Sequence, residues 1–247
     1  MTEKYYDVSV FSDVGCREVN EDAVGVFERG NEACFVLCDG LGGHGMGEVA
    51  SALVRDVFGS RFAEGHDPAG FLADTFAAAE DILTAEQAYL GAGQRMKTTA
   101  VAGILDGKKL RFGHVGDSRL YVFADNRVLT RTLDHSIPQM LVLAGDLDES
   151  EIRCHPQRSY VLRVLGVPWE EPMYELRKPL PLKKCQAILL CSDGFWELIT
   201  EEEMCRALAA SRSVGEWMDL MAAAVRENGA GKNMDNNSAI AVWVKKT

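Results

Sequence analysis

Residues 34–43 read CFVLCDGLGG and residues 188–198 read ILLCSDGFWEL. Each is an apolar run of strand length that reads as buried and then stops on Asp-Gly. One such ending is ordinary turn punctuation. Two of them, in a chain that also carries GHVGDSRL at 113–120 and MDNNSAIAVWV at 234–244, point to acidic residues delivered to one place.

Outward from these runs, β-branched and aromatic content predicts strands at 5–11, 22–27, 34–37, 99–105, 110–115, 119–123, 187–191 and 239–244. DGKK at 106–109 is a hairpin signal, and short turns between most strands make them antiparallel. Apolar residues at helical spacing, such as Val49, Leu53, Val57 and Phe58, predict helices at 48–62 and 68–90 after the third strand. A second pair is predicted at 201–210 and 214–227, the first of them opened by Thr200 as N-cap with acidic residues in its first turn. Strands grouped with helix pairs predict an α+β fold, sheets covered by helices, and no strict βαβ alternation. Residues 134–172 carry short helical patches broken by Pro, Gly and charge, the pattern of an insertion on the surface of the main body.

The chain has 247 residues, 47% of them hydrophobic, enough for one large core, and no Gly-, Ser- or Pro-rich linker divides it. One domain spanning 1–247 is the expectation. A net charge of −11 works against a nucleic-acid partner, because a phosphate backbone demands a basic face. Seven cysteines without paired C-x-x-C spacing, and a start, MTEKYYDVSV, with no basic region before an apolar block, predict free thiols in a reducing cytoplasm. No apolar run approaches the roughly 18–20 residues that span a bilayer, so no membrane partner is expected.

Gly40, Gly42 and Gly45 match G-x-G-x-x-G between a predicted strand and a predicted helix. A dinucleotide site also needs a second parallel strand ending in an acidic residue about 20 positions on, and here a second helix follows instead. Asp39 would moreover point negative charge at the pyrophosphate. Neither a G-x-S-x-G elbow nor a P-loop is present.

The acidic residues at strand ends are Glu21, Asp22, Asp39, Asp117, Asp193 and Asp235. Each alone reads as a turn or cap. Together, if two facing sheets bring those ends to one edge, they repel unless protons or cations intervene, and a divalent metal resolves that. The donors are all oxygens, which favours magnesium or manganese over zinc or copper, and no calcium-binding D-x-D-x-D-G loop is present. Arg17, four and five residues before Glu21 and Asp22, reaches the same edge and suits a phosphoryl group. Metals with arginine imply phosphate-ester hydrolysis by an activated water.

REVNEDA (17–23), VLCDGLGGHGMGEVAS (36–51), KTTAVAGIL (97–105), GHVGDSRLYVF (113–123), DHSIPQMLV (134–142), CSDGFWEL (191–198) and DNNSAIAV (235–242) stand in the order found in one family. The chain resembles the metal-dependent protein serine/threonine phosphatases of the protein phosphatase 2C family, in their compact bacterial form. The resemblance implies a four-layer α-β-β-α sandwich, two mostly antiparallel sheets flanked by helix pairs, with 134–172 as a flap. It implies that Asp39 bridges two metals, that Gly40 lends a carbonyl, and that Asp193 and Asp235 are further ligands of the first metal. Glu21 and Asp22 match the acidic pair that serves the second metal. Asp117, with Asp193, matches the site of a third, weaker Mn2+ or Mg2+. Arg17 matches the phosphate-binding arginine, so Arg17, Asp39 and Asp193 carry the catalysis. The implied partners are phosphoprotein substrates and an opposing Ser/Thr kinase, and the implied state is a monomer.

The sequence departs from the family at three points. Leu41 stands where animal members place a histidine assigned as general acid, and His44 lies three residues on. Lys97 replaces a small residue and, with His135 of the flap, is the further candidate for substrate contact. Glu197 stands where some members have an aspartate. Trp196, Cys38 and Cys191 read as core. For Asp117 a second reading stays open, in which it caps its turn and pairs with Arg119.

Overall fold

A computed structural model of the chain describes residues 4–41, 45–65 and 67–245. The strands of the first half are β1 (Tyr6–Asp13), β2 (Asp22–Arg29), β3 (Glu32–Leu41), β4 (Lys97–Thr98), β5 (Ala100–Leu105) and β6 (Lys109–Val115). Those of the second half are β7 (Arg119–Ala124), β8 (Arg127–Arg131), β9 (Glu175–Leu176), β10 (Leu180–Pro181), β11 (Ala187–Cys191) and β12 (Asn237–Val244). The helices are α1 (Gly47–Glu64), α2 (Phe71–Leu90), α3 (Ile137–Ala144), α4 (Asp193–Trp196), α5 (Glu201–Ala210) and α6 (Val214–Gly229).

One sheet runs β1-β12-β11-β7-β8; the other runs β10-β6-β5-β3-β2, with β4 added to β3 and β9 to β6. Their ladders are antiparallel. Because successive strand residues point to opposite faces, an apolar run divides itself between two cores. From β3, Phe35 and Leu37 turn inward to meet Ile188, Leu190, Ile240 and Val242 of the other sheet. Cys34, Val36 and Cys38, the alternate residues, turn outward against Val54, Phe58 and Phe76 of α1 and α2. In β11, Leu189 and Cys191 likewise turn outward against Met204, Trp217 and Met221 of α5 and α6. The result is the expected α-β-β-α sandwich. The runs at 34–38 and 188–191 are apolar throughout because both of their faces are covered.

Thr200 caps α5 as its sequence predicts, accepting from Glu203 N at 3.2 Å while Glu203 returns a carboxylate oxygen to Thr200 N at 2.8 Å. Strand β8 was not expected. It follows β7 through a two-residue turn in which Asp125 and Asn126 adopt positive φ of 50° and 57°, the backbone a tight hairpin demands.

The 134–172 segment is more firmly anchored than a surface insertion. Asp134, Ile152 and Leu165 are buried, Ser136 bridges Val161, and Leu165 bridges Thr98. Gly166 is held by Glu80 and Gln87 of α2. Between those anchors Met140, Leu143 and Tyr160 stand exposed.

A candidate metal centre at one edge of the sandwich

The register of β2 and β3 sets Asp22 directly opposite Asp39, so two carboxylates share one end of one sheet. The facing sheet ends there too. After β11 stops at Cys191, Ser192 Oγ crosses between the sheets to donate to Asp22 Oδ2 at 2.9 Å, and it accepts from Ser238 N at 3.0 Å. Asp193 follows Ser192 at the start of α4, and Asp235 lies two residues before β12. Asn236 ties in the segment that carries Arg17: it accepts from Glu21 N at 2.8 Å and donates to the carbonyls of Val14 and Val19 at 2.9 and 3.0 Å. Arg17 Nη2 then donates to Asp235 Oδ2 at 2.8 Å, with both side chains about half exposed.

The glycine of each Asp-Gly pair has a packing reason. A Cβ on Gly40 would lie 2.3 Å from the carbonyl oxygen of Gly47 and 2.7 Å from that of Glu21. A Cβ on Gly194 would lie 2.1 Å from the carbonyl oxygen of Asn236. Backbones meet closely at this edge, and only glycine lets them.

Burial, and after it the charges of Asp22, Asp193 and Asp117, pushes the Asp39 carboxyl well above the usual carboxylate range. Burial followed by Asp193 does the same to Asp117, and burial followed by Asp235 raises Asp193. Asp22 is pushed up to about 7, chiefly by burial, against the lowering effect of the Ser238 and Ser192 hydrogen bonds. Asp22 Oδ1 is buried without a hydrogen-bond partner. Crowded carboxylates, all-oxygen donors and an orphaned carboxylate oxygen fit a hard divalent cation such as Mg2+ or Mn2+.

Asp117 sits in a braced turn. Its carbonyl accepts from Trp196 Nε1 at 3.0 Å, and Ser118 Oγ meets Thr99 Oγ1 at 2.8 Å. His135 grips Gly116 twice, its backbone N donating to the Gly116 carbonyl at 2.9 Å and its Nδ1 accepting from Gly116 N at 3.1 Å. Arg119 is not the partner of Asp117. It engages Asp134 through Nε at 2.8 Å and Nη2 at 2.6 Å, and its guanidinium lies 3.4 Å from the centre of the Trp196 ring.

The His135 ring faces Gly116 and His114 more than an open surface: it is nearly buried and stacks on His114 with ring centres 4.3 Å apart. Burial, followed by His114, pushes its pKa down to about 3, so the ring is neutral. His114, His135 and Glu175 bring three donor atoms within 4.8 Å of one another. Because His135 Nδ1 accepts from Gly116, the ring proton sits on Nε2, which presents an N–H and no lone pair toward Glu175. The trio is a packed stack in which His135 Nε2, 3.8 Å from Glu175, and His114 Nδ1 are buried without a hydrogen-bond partner.

Lys97, partly buried, lies across β4 from Leu41, the last residue of β3. Glu197 accepts from Arg158 of the 134–172 segment at 2.9 Å, and burial followed by the Asp193 charge pushes it up to about 7. Gly42 and His44 lie outside the described residues. Cys38 and Cys191 are fully buried and burial pushes both thiols up, the environment of inert core cysteines. Ser192, Asn236 and the indole N–H of Trp196 carry no site signal of their own in the sequence. Their motifs, CSDGFWEL and DNNS, were visible, but their partners follow from the strand register.

The family model described as protein phosphatase 2C matches residues 15–237. The serine/threonine phosphatase stp of Listeria welshimeri serovar 6b is 30% identical over 233 residues, which cover 88% of each chain. The crystal structure of Stp1 from Staphylococcus aureus superposes with a TM-score of 0.86 at 30% identity, covering 97% of this chain and 95% of that one. The catalytic domain of PstP, solved with two manganese ions, superposes with a TM-score of 0.79 at 28% identity over 98% of this chain and 99% of that one.

Proposed function

The chain belongs to the protein phosphatase 2C family, and on that premise we propose how its carboxylate edge works. It is a metal-dependent phosphatase of phosphoserine and phosphothreonine in proteins. The observation that carries the reading is the convergence of Asp22, Asp39, Asp193 and Asp235 from two facing sheets, with an arginine beside them.

Asp39, the Gly40 carbonyl, Asp193 and Asp235 would hold a first Mn2+ or Mg2+ ion, and Asp39 with Glu21 and Asp22 would serve a second. Asp117 with Asp193 would hold a third, weaker ion. When bound, the ions lower the pKa of a coordinated water to make the nucleophile and neutralise charge on the phosphoryl oxygens.

The chain's own part is orientation. Arg17, partly released from Asp235, donates two hydrogen bonds to the phosphoryl group. Ser192 and Asn236 fix the carboxylates and the arginine segment in register. Leu41 supplies no proton at the position after Gly40. Lys97, at the same edge, contacts substrate, whereas His135 acts through its grip on Gly116.

We assign residues 1–247 to one catalytic domain whose 134–172 segment is the flap beside the site. An opposing Ser/Thr kinase, a monomeric state and a cytoplasmic setting complete the reading. The cytoplasmic setting is supported by seven free cysteines. The test is turnover of a phosphothreonine peptide and a chromogenic phosphoester, lost in chelator and restored by Mn2+ or Mg2+. Undiminished turnover in excess chelator would overturn it.

A further inference from the structure

The carboxylate edge is built where β11 ends and β12 begins; at the opposite ends of those strands the surface changes sign. Residues 177–184, RKPLPLKK, carry Arg177, Lys178, Lys183 and Lys184 and no acid. They border two neighbouring grooves, of about 1320 and 420 Å3, that share Leu129 and Lys184. Lys108, Arg212 and Lys245 line the larger groove from its other walls. Among the described residues, seven Lys and Arg line the two grooves against three Asp and Glu, in a chain that has 26 of the former and 37 of the latter. On a chain of net charge −11 this is a concentrated positive belt.

Two of those three acids are already engaged, Asp7 by Lys245 at 3.1 Å and Glu175 by Arg177 at 2.9 Å; the third is Asp125. Lys108, Lys178, Lys183, Lys184 and Arg212 make no ion pair among the described residues. The floor is apolar, with Leu129 and Leu176 exposed at 47% and 42% and Trp243 partly buried. On its banks lie β8 and β10, the last strands of the two sheets, and Pro179 and Pro181 keep the cationic strip from joining a further strand.

We propose that this belt is a docking groove for an acidic, extended protein segment with interspersed apolar residues, carried by the phosphoprotein substrates; this rests on the phosphatase reading above. A cationic rim over an apolar floor matches such a segment in both charge and shape. A duplex or an anionic membrane is a broad surface that would also meet the surrounding negative charge, whereas a single extended chain stays within the groove. The eight residues of β12 separate the belt from the carboxylate edge, about 25 Å at roughly 3.3 Å per residue. A docked segment therefore lies at least about eight extended residues from the phosphorylated side chain. Docking at that distance raises the local concentration of the phosphoresidue, so it lowers KM and leaves kcat alone.

The test compares the wild type with Lys178→Glu/Lys183→Glu/Lys184→Glu, all exposed positions distant from the carboxylates. The binding probe is a fluorescein-labelled peptide of about twelve residues, Glu with interspersed Leu, followed by anisotropy. The wild type binds it, more weakly as salt rises, and the triple variant binds about tenfold more weakly. For a phosphothreonine peptide joined to that acidic segment the variant's KM rises about tenfold with kcat unchanged. Turnover of a small chromogenic ester and the melting temperature stay as in the wild type. Equal binding of the peptide by both proteins overturns the proposal, and so does stronger competition from phosphatidylserine vesicles or duplex DNA than from unlabelled peptide. A wild type that binds the peptide but hydrolyses no ester overturns the phosphatase reading and leaves the groove standing.

Discussion

The indole N–H of Trp196 donates to the carbonyl of Asp117 across 3.0 Å, joining the last residue of α4 to the turn that carries the proposed third-metal ligand. The same side chain supports the Arg119 guanidinium on its ring face, and the Trp196 backbone carbonyl accepts from Arg153 of the 134–172 segment at 3.1 Å. One core tryptophan thus touches the Asp117 turn, the helix that Asp193 opens, and the 134–172 segment.

Trp196→Phe keeps an aromatic face for Arg119 and removes only the N–H and part of the ring. It leaves the Asp117 carbonyl without that partner, at an expected cost of about 1–3 kcal/mol in stability. If Trp196 also positions Asp117, the Mn2+ concentration for half-maximal turnover rises, and excess Mn2+ restores part of kcat. A lower melting temperature with an unchanged Mn2+ dependence would reduce Trp196 to packing alone.

Asp39→Asn separates the metal role from the fold. Burial and three neighbouring carboxylates hold the Asp39 carboxyl far above its ordinary range, so in chelator this group disfavours the folded state. The amide removes that penalty, and the metal-free variant should melt higher than the metal-free wild type. Added Mn2+ should then stabilise the wild type by several degrees and the variant hardly at all. Turnover of the variant should fall by several powers of ten; equal Mn2+ stabilisation of both proteins would contradict the bridging assignment.

Asp134→Ala addresses a buried charge. Arg119 and Asp134 are both about 1% exposed, and the pair is bidentate. Removing the carboxylate strands a guanidinium whose other partners are Tyr121 at 2.8 Å and Glu201 at 3.6 Å, so a loss of about 3–5 kcal/mol is expected in denaturant unfolding. The exposed pair Arg206–Glu202 offers the control, since Glu202→Ala should leave the unfolding midpoint nearly unmoved.

What the sequence revealed and what it withheld divide along local and non-local lines. The apolar runs ending in Asp39 and Asp193 were legible because strand burial and turn chemistry are written within ten residues. The Thr200 cap was legible for the same reason. Strand β8 was missed because RVLTR is short and charged at both ends, although Asp125-Asn126 before it carried the turn signal. The partner of Arg119 lies fifteen residues away on the far side of a hairpin, and no spacing rule distinguishes Asp134 from Asp117. Ser192 and Asn236 look like loop residues until the register sets them against Asp22 and Glu21.

Glu80 faces the 134–172 segment from the middle of α2. Its Oε2 accepts from Gly166 N at 2.7 Å while Oε1 is buried without a partner. Burial, opposed by the Gly166 hydrogen bond and aided by Asp81, lifts its pKa from 4.5 to about 7. In the unfolded chain the group ionises near 4.5, so between that pH and about 7 the folded state holds the extra proton. Its contribution to stability is therefore complete below pH 4.5 and is lost as pH rises through 7. The shift corresponds to an upper bound of about 3 kcal/mol. Glu80→Gln keeps a carbonyl for Gly166 and never ionises. It should melt a few degrees above the wild type at pH 8, and the advantage should shrink steadily toward pH 5. Melting curves at half-unit pH steps decide the matter: two parallel profiles would mean that Glu80 is ionised normally in the folded protein, and a gap that opens upward through pH 6–7 would mean that α2 holds Gly166 with a protonated carboxyl.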